Sequence, residues 1–367
     1  MASTQKVSIK PDMGNAMLLD YVDDYYLVNI SLGTPPQWLL VQPSMFSSDF
    51  WVIDSECDDD VCLGADHFNR HLFNKSLSRT FYSTDEDVTA PYEFDASIVS
   101  DILTIGGLSA KQNFALAYEL EEWFYEEPMD GILGLGSYPG TFKNVPPVMQ
   151  TLKESMDDPV FTIFIQREDD PSDIGGQLTF GAQDSENCEN DWSYTMVNNH
   201  TFMSAYWEFQ VNGFTIQNAT KTTDNRRRRP AIIMLDFPFI AGPAGNIQTI
   251  AESLGFTINP NYGVWVAPCS KVAKLPDLQL KIGDGMINLK ASQFTKKYNT
   301  GKGFICYLTL MPFENQGNGP AWYFGDSFLR SYCVSFEIGN GNGSQSAKKA
   351  LQVGFSKTKP KADDDDD

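Results

Sequence analysis

"YYLVNISLGTPPQWLLVQPSMFSSDFWV" spans residues 25–52, and its second half carries the reading that decides the fold. "VQPSMFSSDFWV" (41–52) has the apolar approach, small polar turn and aromatic exit of a strand that ends by presenting one side chain. The presenting position holds Ser44. A serine hydroxyl hydrogen-bonds water but does not ionise near an ordinary working pH.

Working outward, the 367 residues exceed a typical single domain, and a hydrophobic share of 42% with 13% aromatics supplies one or two sizeable cores. A compact two-lobed protein is expected. Lysine and arginine number 27 against 48 acids, a net charge of -21 that repels phosphate backbones, so nucleic acid is excluded as a partner. No stretch reaches the length of a membrane span, and "MASTQKVSIKPDMGNAM" (1–17) lacks the apolar core of a signal peptide. Five N-x-[ST] sequons, at Asn29, Asn74, Asn199, Asn218 and Asn342, and an even set of six cysteines favour an oxidising, secretory route and an extracellular glycoprotein.

The texture of the chain is mostly β. "FTIFIQ" (161–166) and "QLTFGA" (177–182) read as strands, and "LQLKIGDGMINLK" (278–290) alternates around Gly283-Asp284-Gly285 as a hairpin. Helices are few: "NIQTIAESLG" (246–255) sets Ile247, Ile250 and Leu254 on one face and stops at Gly255, and "PPVMQTLKESM" (146–156) is a second. The tail "KADDDDD" reads as a solvated, disordered end.

Exclusions narrow the chemistry. The three histidines, His67, His71 and His200, are too few for a zinc site without using nearly all of them, and neither an H-E-x-x-H nor a paired C-x-x-C spacing occurs. No G-x-S-x-G elbow or phosphate-cradling loop is present, and fully paired cysteines exclude a thiol nucleophile. Neither cofactor nor metal is expected. Asp58–Asp60 lack the spaced ligands of a calcium loop and read as a solvated loop. Arg226–Arg229, the one dense basic run, reads as an exposed hairpin tip, with docking to an acidic partner as the alternative.

The stretch at 25–52, "DGILGLG" (130–136), "FIAGPAGNI" (239–247) and "YFGDSFLRSYC" (323–333) resemble, in this order, the landmarks of pepsin-like aspartic proteases of the nematode type. The resemblance runs from about Leu19 to Ser356 and implies a bilobal β fold whose two lobes face each other across a peptide-binding cleft. On that basis the chain divides into a lead segment (1–18), an N-terminal lobe (19–190), a C-terminal lobe (191–357) and an acidic tail (358–367). Gly134 and Gly325 would close the ψ-shaped loops beneath the two catalytic turns. The family pattern also implies the pairings Cys57–Cys62, Cys269–Cys306 and Cys188–Cys333, which cysteine counting alone leaves open among fifteen.

In active members each D-[TS]-G turn supplies one of two carboxylates that share a proton, one polarising the peptide carbonyl while the other activates water, an arrangement that the aspartic proteases exemplify. Here the first turn falls on Ser44, Met45 and Phe46, and the second on Met234, Leu235 and Asp236. No acid lies between Tyr26 and Asp49, and Asp236 takes the second catalytic place only if its loop lost two residues. An inactive homologue is expected: a secreted, monomeric pseudoprotease that acts by binding a protein or peptide. A residual acid peptidase using Asp236 and an abundant structural or storage protein are the alternatives. Tyr92, in a flap region that lacks the family's glycines, together with Trp51, Trp123, Phe124, Tyr125 and Asp236, are the expected cleft residues, with core packing as the other reading of the aromatics.

Overall fold

The computed structural model of the chain describes residues 14–21, 25–91, 93–137, 142, 145–166, 174–198, 206–217, 228–235, 237–283, 285–301, 303–314, 319–339 and 351–359. Tyr92, Asp236, Asn199, Asn218, Asn342, His200, Arg226, Arg227 and the end of the acidic tail lie outside the described residues.

The opening stretch forms two antiparallel strands, Tyr25–Leu32 and Gln37–Ser44, with Val28 opposite Val41 and Leu32 opposite Gln37. Tyr26 to Leu32 are buried on both faces except at Asn29, so the strand sits inside its lobe rather than along an edge. Gln37–Ser44 then runs parallel to Gly131–Gly134, placing Ser44 opposite Gly134. After the turn the chain returns as Phe50–Ile53, antiparallel to the same strand. Gly131–Gly134 is thus threaded between the strands entering and leaving the turn.

The second half repeats this device. Arg229–Ile233 runs parallel to Trp322–Phe324, and Ile240–Gly242 returns antiparallel to it, so that both Ile233 and Ile240 face Phe324. The two glycines are required by close approach. A Cβ at Gly134 would stand 2.3 Å from the Asp49 carbonyl oxygen, and one at Gly325 only 1.8 Å from that of Phe237.

The lobes are joined by a 13-stranded sheet in which Tyr332–Glu337 pairs with both Val160–Ile165 and Gln352–Lys357. Asn15–Tyr21 pairs with Gly176–Phe180, and Ser193–Met196 forms an edge, so the expected boundary at 190/191 falls on the approach to a strand of the shared sheet. Beneath it Phe161 stacks on Phe336 at 4.7 Å and meets Trp207 edge-on, while the Trp207 indole N–H donates to the Leu135 carbonyl at 2.8 Å. Rings buried this fully stabilise by about 1.5–3 kcal/mol each.

The expected strands appear as Val160–Ile165 and Gly176–Phe180, and the hairpin as Leu278–Ile282 with Gly285–Leu289. The helix at 246–255 is Ala244–Ser253, with Ile247 and Ile250 buried and Gly255 at φ +72° behind it. Val148–Leu152 is the second helix. One correction concerns Asp58–Asp60: Asp59 caps a short helix, Asp60–Leu63, by accepting from the Cys62 N–H at 2.8 Å. Three disulfides pair Cys57 with Cys62, Cys188 with Cys333 and Cys269 with Cys306. No helix among the described residues is long and apolar enough to cross a membrane.

Candidate active-site turns and cleft

Hydrogen bonds fix how the two turns correspond. Gly134 donates its N–H to the Asp49 carbonyl at 2.9 Å, and Gly325 donates to that of Phe239 at 3.0 Å. Asp49 and Phe239 therefore occupy matching places. Ser44 stands five residues before Asp49 and Met234 five before Phe239, so Ser44, the last residue of its strand, and Met234, the residue directly after its own, also match, without reference to any other protein.

At the first of these positions the Ser44 hydroxyl accepts from the Phe46 N–H at 3.2 Å, and the Ser44 carbonyl accepts from Leu135 at 2.8 Å. Ser44, Met45 and Ser48 are buried. At the second, the Met234 N–H donates to the Phe324 carbonyl at 3.0 Å, its side chain is half-buried and Leu235 is buried. A hydroxyl and a thioether thus occupy the matching places of the two turns, and neither ionises as a carboxyl does.

Phe46, 45% exposed, lies flat against Tyr206, with ring centroids 4.8 Å apart and planes at 23°. Such a stack is worth about 0.5–1.5 kcal/mol beyond its area. Tyr206 is close enough to Tyr323 for their phenols to interact electrostatically, and Tyr323 meets Phe313 edge-on at 4.9 Å. An aromatic chain therefore links the first turn to the second lobe. Sequence reasoning marked Phe46 only as a lost glycine; Tyr206 gave no local signal.

The acid nearest the first turn is Asp49. Burial pushes its carboxyl up from the ordinary 3.8 to about 6, the Phe142 N–H bond at 3.1 Å pulls it down, the Glu93 charge adds to the rise, and the Ser47 hydroxyl opposes it. Glu93 follows Tyr92 at the bend between strands Tyr82–Ala90 and Phe94–Ile105, and partial desolvation lifts it too. Behind the turn, Asp130 is buried and accepts from the Leu40 and His71 N–H groups at 2.7 and 2.8 Å, with His71 Nδ1 at 3.4 Å. Its carboxyl is raised by burial against the pull of those donors.

Two expected cleft walls are corrected. Trp51 is 2% exposed and enclosed by Phe94 at 4.9 Å and Phe124 at 5.1 Å, while Phe124 is 1% exposed; both rings are core, because the aromatic exit of the turn packs inward. Trp123 and Tyr125 remain exposed at 50% and 38%, with Trp123 stacked on Phe124 at 3.6 Å. Their segment is tied down by Arg70, whose guanidinium donates to the carbonyls of Val61, Phe124 and Glu127, a role with no sequence signature. Of the described sequons, Asn29 is exposed, whereas Asn74 caps the turn Lys75–Leu77 by accepting from the Ser76 N–H at 3.0 Å. Among the described residues the group able to crowd a metal is Cys57, Asp59 and Cys62, and its sulfurs are joined as a disulfide.

The eukaryotic aspartyl protease family model matches residues 25–348. The chain belongs to this family. As an aspartyl protease homologue it is similar to aspartic protease 1 of Caenorhabditis elegans, at 30% identity over 333 residues that cover 88% of this chain and 82% of the relative. It is equally similar to aspartic protease 17 of that organism, 30% identical over 330 residues with the same coverage, and it is 28% identical to cathepsin D of Clupea harengus over 352 residues, 93% and 83% of the two chains. The aspartyl protease fold accounts for both threaded turns.

Proposed function

We propose that this protein is a secreted, catalytically inactive member of the aspartyl protease family that acts by binding a protein or peptide. The observation that carries the reading is the pair of matching positions, Ser44 at the end of its strand and Met234 directly after its own, which we take to be the places of the two catalytic carboxylates. General acid–base help is worth about 10² to 10⁴ in rate for each positioned group, and both groups are replaced. The exposed Phe46, Trp123 and Tyr125, with the aromatic chain through Tyr206 and Tyr323, offer apolar surface for a bound segment. A monomer in an oxidising, extracellular setting agrees with the three disulfides and with the exposed Asn29 sequon.

The relatives' names favour a second reading, an acid peptidase, and Asp49 gives it a chemical basis, since a carboxyl near 6 beside Glu93 exchanges protons in the acid range. Hydrolysis of a mixed peptide library from pH 2 to 7, with active pepsin as control, separates the two. Absence of turnover together with saturable capture of one peptide class supports the binding reading. Turnover that persists through repurification and is lost in Asp49→Asn or Asp236→Asn supports the peptidase.

A further inference from the structure

The strand pair that opens the fold has a face that is covered at one end and open at the other. Side chains alternate along a strand, so Leu27, Asn29 and Ser31 share this face with Trp38, Leu40 and Gln42 across the ladder, Asn29 directly opposite Leu40 and Ser31 opposite Trp38. Leu27 and Gln42 are buried by their surroundings. At the other end Asn29 is exposed, and Trp38, one rung further along, is 60% exposed.

Scattered apolar side chains are ordinary on a protein surface, and what sets Trp38 apart is its neighbour. Asn29 opens the sequon Asn29-Ile30-Ser31, and its amide has no hydrogen-bond partner among the described residues, unlike that of Asn74, whose oxygen caps a turn. The Trp38 ring likewise stacks on no other ring and meets no cation among the described residues. Diagonal neighbours on one face of an antiparallel pair have Cβ atoms about 7–8 Å apart. A sugar ring joined to the Asn29 nitrogen spans that gap. One face of such a ring presents only C–H bonds, and it packs against the electron-rich face of an indole through burial and weak C–H contacts.

We propose that Asn29 carries an N-linked glycan whose first N-acetylglucosamine lies on the Trp38 indole, so that sugar rather than protein covers the open end of this face. The inference rests on the secretory part of the function proposed above, where the sequon is modified. In the transfer the Asn29 amide nitrogen bonds to the anomeric carbon of an oligosaccharide held on a lipid diphosphate. The sugar–phosphate C–O bond breaks, the lipid diphosphate leaves with the electron pair, and the nitrogen gives up one proton. Transfer to the unfolded chain makes the burial of Ser31 in the fold no obstacle.

The test is hydroxyl-radical footprinting of the full chain secreted from cultured human cells, before and after peptide N-glycosidase F, with an added tryptophan peptide to calibrate dose. Mass spectrometry of the digest reads both the occupancy of each sequon and the oxidation of Trp38. Asn29 should be occupied, and Trp38 should oxidise several-fold faster once the glycan is removed. The enzyme leaves aspartate at position 29, so Asn29→Gln, which adds no charge, should give the same fast oxidation; if that variant is not secreted, the wild-type pair decides. Trimming with endoglycosidase H of protein made with kifunensine keeps only the first sugar and should keep Trp38 protected, and loss of protection there overturns the contact. An unoccupied Asn29 beside another occupied sequon, or a Trp38 equally reactive with and without its glycan, overturns the inference and leaves the secretory reading standing. Absence of glycan from every sequon overturns both.

Discussion

Replacing Asp49 by asparagine should make the protein more stable at neutral pH, although the change removes a charged side chain held by two donors. In the folded chain the Asp49 carboxyl keeps its proton to about pH 6, whereas unfolded it does so only to about 3.8. Between those values the native state binds the extra proton, so stability falls as pH rises through the window, and above it the full penalty persists. At about 1.4 kcal/mol per pH unit the difference has an upper bound of about 3 kcal/mol, and residual solvent contact at this partly buried side chain brings it to about 1.5–3. Asparagine cannot ionise but still accepts from the Phe142 N–H, so the fold loses no buried partner. Urea unfolding of both proteins at pH 3.5, 5 and 7 measures the gap. It should be near zero at the lowest pH and open steadily to the highest. A pH-independent gap, or a wild type that is the more stable at pH 7, would refute the reasoning. Glu93→Gln should narrow the window without closing it, because burial is the larger cause of the shift.

Gly325→Ala should cost at least about 3 kcal/mol or abolish folding, because the new methyl would collide with two carbonyl oxygens of the second turn; thermal melting reads this directly. Removing the Cys188–Cys333 bridge by double alanine substitution should lower stability by about 5 kcal/mol on the loop-entropy model, more than loss of Cys269–Cys306 at about 4, since it closes 145 rather than 37 residues. Denaturant titrations of the two variants give the order. Installing aspartates at both Ser44 and Met234 should still yield no detectable peptide hydrolysis in an acid fluorogenic assay, because Phe46, where active members have glycine, remains stacked on Tyr206. Activity that appears only when Phe46→Gly is added would tie the block to that ring, and activity without it would show that the ring is no obstacle.

Much of the fold was legible locally. Alternation announced the hairpin at 278–290, a one-sided apolar face with a glycine stop announced the helix at 244–253, and four ordered motifs announced the threaded turns. The capped helix at Asp60–Leu63 was missed because four residues hold less than two turns of pattern, and its cap depends on a single side chain. The burial of Trp51 and Phe124 is not legible locally, because an aromatic after a turn packs inward or outward with the same local sequence.

By itself the sequence determined which groups can ionise. With no acid between Tyr26 and Asp49, the strand Gln37–Ser44 has no carboxylate of its own to present at its end. Tertiary structure alone decided what the remaining groups became. It raised Asp49 by burying its carboxyl and bringing the Glu93 charge near it, laid Phe46 on Tyr206 from 160 residues away, and closed a hydroxyl-lined cavity from segments between Ser292 and Ser331. Ionisability is a property of one side chain and can be read from its letter. Burial, stacking and field arise between residues that meet only after the strands have paired, and period and spacing carry no record of those meetings.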